Sequence, residues 1–204
     1  METILKITAG CDCRCQMCIA AYATGVDAGQ GRMTDDVFDY FLRYVRKFQA
    51  TKVILSGGEP LSHPQLSHYV KQLRRRNIIT VLNTSGSREA EFTTLVQTGD
   101  TRPDYVVFSL DSASQVTHDA LRGHPGLYDS IWRQVLTARL HGVEPCVRFV
   151  VTRYSYQDLP RLIHLALAHR IAALKVTFVE GARSQQMHLR AEDMDGIMLS
   201  SCCS

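Results

Sequence analysis

No apolar stretch in the 204-residue sequence approaches the ~20 residues that a membrane span requires. Charge of one sign is also scarce. Twenty-three Lys and Arg against 20 Asp and Glu leave a formal +3, too little to argue for a nucleic-acid or anionic-membrane partner. No linker, low-complexity tract or internal repeat divides the chain. Its length suffices for one hydrophobic core, is short for two, and falls below the roughly 250 residues of a closed eight-unit β/α barrel. Residues 1–10 contain Glu2 and Lys6 and read as a strand rather than a secretory signal. A single soluble domain in the cytoplasm is the expectation.

What the chain has is cysteine, seven in all and unevenly placed. Cys11, Cys13, Cys15 and Cys18 crowd one short segment, Cys146 stands alone, and Cys202 and Cys203 adjoin near the end. A disulfide framework would spread them. An odd, clustered set points to metal or redox chemistry in a reducing compartment.

The rest alternates between two periods. A short apolar run at 3–8 ends at the cysteines. Thr34, Asp35 and Asp36 open a helix with cap chemistry and acids at its positive end, and Phe38, Phe41, Leu42, Val45 and Phe48 form its apolar stripe. Strand 52–56 runs into Gly57-Gly58-Glu59-Pro60. Helix 63–77, strand 78–82, helix 88–98 and strand 105–110 follow. Helix 127–140 uses Ile131, Val135 and Ala138, and strand 145–152 comes after it. Asp158 caps a further helix with Pro160 in its first turn and Leu159, Leu162, Ile163, Ala166 and Leu167 as its apolar positions. Strand 173–179 closes the alternation.

Six mostly apolar strands and five helices in strict alternation predict parallel strands covered by helices, at about 33 residues per unit. An open doubly wound sheet and an incomplete barrel both satisfy this pattern. In either, ligands sit at the carboxyl ends of the strands, in loops beginning at Ala9, Ser56, Asn83, Asp111, Arg153 and Glu180.

Cys11, Cys15 and Cys18 follow the first strand with C-x3-C-x2-C spacing. Three thiolates can hold three corners of an iron–sulfur cubane while the fourth iron stays open for chemistry. Zinc is the competing occupant, although a structural zinc site takes four ligands, usually from two separated knuckles. Cys13 reads as a bystander thiol or a fourth ligand, and Cys146 as a small core residue. Cys202 and Cys203 read as tail thiols or ligands of a second cluster. Arg74-Arg75-Arg76 reads as a solvated helix end rather than a nucleic-acid patch.

Cys11-x3-Cys15-x2-Cys18 after strand one, with Gly57-Gly58-Glu59-Pro60 after strand two, resembles the radical S-adenosylmethionine superfamily over about residues 3–181. Phe108-Ser109-Leu110-Asp111, followed by His118-Asp119 and Leu121-Arg122-Gly123, is similar to the branch containing the molybdopterin-cofactor cyclase and peptide-modifying enzymes. The resemblance implies an α/β fold, a partial (β/α)6 TIM-like barrel of six parallel strands with outer helices. It divides the chain into a core at 1–182 and a polar tail at 183–204, poorly ordered or covering the barrel mouth.

The resemblance also implies a [4Fe–4S] cluster on Cys11, Cys15 and Cys18, whose fourth iron chelates S-adenosylmethionine. An electron from a donor such as flavodoxin or ferredoxin cleaves the sulfonium, and the resulting 5′-deoxyadenosyl radical takes a substrate hydrogen. Gly57 and Gly58 would let backbone approach the ligand, with Pro60 completing the segment. Glu59 would accept from the methionine ammonium, or else is a helix-start acid. Ser109 and Asn83-Thr84-Ser85 would suit the ribose, and the backbone of Met17 the adenine. Arg148 would meet the methionine carboxylate or else face outward. Asp111 and Arg122 join the cofactor site, or serve as a cap and a structural ion pair.

The substrate implied is a peptide or natural-product intermediate. A glycyl-radical activase acting on a partner protein, and a non-catalytic zinc or iron–sulfur module, are the alternatives. The chain ends soon after strand six, so auxiliary clusters are not expected, and a substrate, partner or second subunit is expected to cover the barrel mouth.

Overall fold

The computed structural model describes residues 1–18, 31–179, 182–190 and 192–193. Six strands form one sheet: β1 (Glu2–Thr8), β2 (Lys52–Gly57), β3 (Ile79–Thr84), β4 (Tyr105–Ser109), β5 (Glu144–Val151) and β6 (Ala173–Phe178). Each pairs in parallel with the next, in the order β1-β2-β3-β4-β5-β6. A doubly wound sheet reverses its strand order at a switch point. This one does not, so the fold is the incomplete barrel.

Between the strands lie α1 (Asp35–Lys47), α2 (Leu66–Arg74), α3 (Glu89–Gln97), α4 (Gln115–Arg122), α5 (Leu127–Leu140) and α6 (Leu159–Ala168). Alternate strand residues supply the core beneath them. Ile7, Val53, Leu55, Leu82, Val106, Phe108, Val147 and Phe149 are essentially fully buried, while Ile4, Ile54 and Val107 on the opposite face are more open. Phe38 of α1 stacks on Tyr69 of α2 at 4.1 Å, and Phe92 of α3 meets Phe108 edge-on at 5.6 Å. No helix among the described residues is long and apolar enough to cross a membrane.

The elements depart from expectation in four places. The expected helix 63–77 shortens to α2, preceded by a separate 3₁₀ turn at Pro60–Ser62, because Pro64 holds His63 in an extended conformation. The alternation conceals an extra helix, α4. Thr34 and Asp158 occupy N-cap positions without a side-chain cap bond; the Asp158 carboxylate instead accepts from the Ser112 hydroxyl. Phe48, Ile163 and Leu167, read as core-facing, are exposed. Glu180, Gly181, Cys202 and Cys203 lie outside the described residues.

Candidate functional site

The cysteine loop leaves β1 and is held at three points. From β2, Gly58 N donates to Thr8 O and Glu59 N to Gly10 O, both at 2.7 Å. This approach requires glycine: a Cβ on Gly57 would stand 2.3 Å from Thr8 O, and one on Gly58 2.0 Å from Gly10 O. From α4, the carbonyls of Arg122 and Leu121 accept from Arg14 N and Gln16 N at 3.0 Å each. Gly123 ends that helix in the left-handed conformation, and a Cβ there would press on Arg14 O at 2.9 Å. From the loop after β3, Arg88 forks onto Asp12, its Nε 2.7 Å from Oδ2 and its Nη2 2.9 Å from Oδ1, with the Ser87 hydroxyl adding a third bond at 3.1 Å.

Within the loop, Cys11, Cys15 and Cys18 are half-buried and Cys13 is buried in the core. The Cys13 thiol, as a hydrogen-bond donor, is the main cause lowering Cys15 to about 6; burial opposes it, and the neighbouring Arg122 cation assists. Cys11 is lowered for the same first reason, while Cys13 is pushed up. Thiolate is the form that binds iron. Among the described residues, no three His, Cys, Asp or Glu side chains close on a single metal ion. A cubane asks for something else, one thiolate for each of three irons. The donor set of three thiols, with two of them activated, fits that group.

Beside the thiols lies a buried cluster of charge. Arg122 Nη1 donates to Cys15 Sγ at 3.5 Å, and its Nη2 lies 2.5 Å from Asp111 Oδ2, an ionic contact outside hydrogen-bond angles. Burial alone would lower the guanidinium pKa, but Asp111 and Cys15 more than offset it and raise it. Asp111 does not cap a helix: its Oδ1 accepts from Val150 N at 3.0 Å, and Ser114 is the N-cap residue of α4. Arg148 reaches toward Ser109 Oγ at 3.4 Å. Burial, and then the nearby Arg122 cation, lower its pKa. The Nε atoms of Arg122 and Arg148 are both buried without a hydrogen-bond partner.

Glu59 forms a second centre. It is fully buried and accepts four bonds, from Thr84 Oγ1 (2.8 Å), Leu61 N (3.1 Å), Ser85 N (2.8 Å) and Ser85 Oγ (2.6 Å). Burial raises its pKa against these donors. Thr84 and Ser85 thus turn toward Glu59, tying the end of β3 to the glycine segment. Pro60 is buried at the start of the 3₁₀ turn, and Asn83 is half-buried in β3. Met17 is buried in a small apolar cluster with Leu121, Val179 and Met187.

Two participants, Asp12 and Arg88, escape the sequence reading, and His118 enters it only as part of the resembling stretch, with no role. His118 is wholly buried, and its Nδ1 accepts from Asp111 N at 3.1 Å. The Gly123 that ends α4 was the one local signal available. The Arg88 fork spans 76 residues and leaves none.

A sequence model described as the Radical SAM superfamily matches residues 5–166. The pre-heme d1 synthase of Dinoroseobacter shibae is 28% identical over 165 residues, covering 79% of this chain and 39% of that protein. The AdoMet-dependent heme synthase of Methanosarcina barkeri is 26% identical over 175 residues, covering 85% and 49%. The chain therefore spans half or less of the length of these relatives. In structure, Streptococcus suis SuiB bound to S-adenosylmethionine superposes with a TM-score of 0.77 at 16% identity, covering 98% of this chain and 46% of that one. Native anSMEcpe with bound AdoMet gives 0.72 at 19%, covering 94% and 56%. The family's cofactors are a [4Fe–4S] cluster and S-adenosylmethionine. With the match extending over most of its length, the chain belongs to the radical SAM superfamily.

Proposed function

We propose that the chain is a radical S-adenosylmethionine catalytic core acting on a C–H bond of a peptide or natural-product intermediate. The observation that carries this is one convergence at the carboxyl ends of the strands. The C-x3-C-x2-C loop, the Gly57–Gly58 approach, the buried Arg122 and the half-buried Arg148 meet there. Cys11, Cys15 and Cys18 would each hold one iron. When bound and reduced, the cluster and S-adenosylmethionine supply a 5′-deoxyadenosyl radical that abstracts hydrogen.

The chain's own residues prepare that site. Two neighbouring cations with unpartnered Nε–H groups favour an anion between them, as the methionine carboxylate would be, with Ser109 beside Arg148. Glu59, its acceptor sites filled by Thr84, Ser85 and Leu61, fixes the glycine segment whose backbone would line the ligand. Met17 and Asn83 would contribute to the adenosine environment. Met187 packs against Met17, which supports a segment just after the core at 1–182 lying against this part of the site.

SuiB bound to precursor peptide SuiA and anSMEcpe bound to the Cp18Cys peptide support a peptide substrate; relatives named as heme synthases support a small-molecule one. A flavodoxin or ferredoxin would supply the electron, and reduced thiols accord with the cytoplasm. Anaerobic reconstitution with iron and sulfide tests the reading: about four irons per chain are expected. Stoichiometric zinc would overturn it. A glycyl-radical activase would instead retain a large partner protein on purification.

A further inference from the structure

Helix α1 carries apolar side chains on two faces. Phe38, Leu42 and Val45 are buried in the core. A second row, Val37, Tyr40, Tyr44 and Phe48, is 53%, 66%, 40% and 48% exposed. Spacings of three and four align these four on one stripe, and the Tyr44 and Phe48 rings touch at 4.5 Å between centroids. Scattered exposed apolar residues are ordinary, but a continuous row of large ones marks a contact surface.

The charges along the helix indicate what covers it. Asp35, Asp36 and Asp39 occupy its first half, and Arg43, Arg46 and Lys47 its second. Laid antiparallel against a second α1, acids meet bases at both ends; a parallel pairing would set like against like. Arg43 lies over the Tyr40 ring and Lys47 over the Phe48 ring, each at 5.4 Å, so the cations already border the aromatic row. Spacing of three and four is also what two helices need to interlock.

We propose that the exposed face of α1 is a homodimer interface. Two copies pack antiparallel through Val37, Tyr40, Tyr44 and Phe48, and Asp36 of each faces Lys47 of the other, an isologous contact. The interface lies on the helical layer and leaves the carboxyl ends of both sheets open.

Sedimentation velocity across roughly 1–200 µM tests this, since a contact of one helix pair is small and calls for micromolar affinity. A concentration-dependent monomer–dimer equilibrium is expected. Tyr44→Glu should weaken it by at least about tenfold, with an unchanged thermal melt showing that the fold survives. Asp36→Lys and Lys47→Asp should each weaken the dimer, and the two together should restore it. A chain that stays monomeric throughout overturns the proposal and leaves the stripe to another partner. A dimer indifferent to Tyr44→Glu, or a double variant no tighter than the singles, also overturns it.

Discussion

Arg122 donates to the sulfur of Cys15 across 3.5 Å while its other amino group rests 2.5 Å from Asp111. Both members of the ion pair are buried, so the field of each reaches the thiol with little screening. A cation beside a cluster ligand favours the extra electron, and the aspartate tempers it. Arg122→Gln should lower the reduction potential of the reconstituted cluster by about 60 mV, a tenfold change for one electron. Asp111→Asn should raise it. Redox titration followed by electron paramagnetic resonance gives both values, and shifts of the same sign would contradict the electrostatic account.

Gly58→Ala places a methyl group where Gly10 O stands, with backbone on both sides. The loop or the glycine segment must move, at about 3 kcal/mol or more. Thermal melting should show the loss, and iron uptake should fall with it. Gly99→Ala, which meets nothing within 4 Å, is the matched control and should change neither.

The fork of Arg88 on Asp12 is partly exposed, so Arg88→Ala should cost the whole fold no more than about 1 kcal/mol. Its effect should be local. Hydrogen exchange of residues 11–18 should accelerate severalfold in the variant while α5 is unchanged.

His118 gives the fold a pH dependence. Burial, with the Arg122 cation adding to it, lowers its pKa from 6.5 to about 3. The unfolded chain therefore binds a proton near pH 6.5 that the folded chain refuses until about pH 3. Stability from this residue is complete above pH 6.5 and declines as pH falls, by up to about 1.4 kcal/mol per unit. His118→Asn, which keeps an acceptor for Asp111 N, should flatten that decline. Urea melts of both proteins at pH 7.5 and 5.5 measure the difference; equal slopes would contradict it.

Continuous apolar strands made the β/α alternation legible, because strands buried beneath helices need no polar face. Helix α4 was hidden for the opposite reason: it buries His118 and Arg122 and exposes Val116, so hydrophobic periodicity cannot reveal it. The cysteine spacing and Gly57-Gly58 were readable locally. The bonds of Thr84 and Ser85 to Glu59 and of Arg88 to Asp12 join residues 25 to 76 positions apart, and only the folded chain brings them together. In α1, the stripe read from the sequence contains Phe38, Leu42 and Val45, which enter the core, while Phe48 belongs to the row that faces outward.

Radical chemistry at the loop of Cys11, Cys15 and Cys18 is read out by incubating the anaerobically reconstituted chain with S-adenosylmethionine and dithionite and quantifying 5′-deoxyadenosine. The native chain and Cys13→Ala should yield it, and Cys15→Ala should yield none. No product from a native chain that carries its irons, or equal product from Cys15→Ala, would contradict that chemistry.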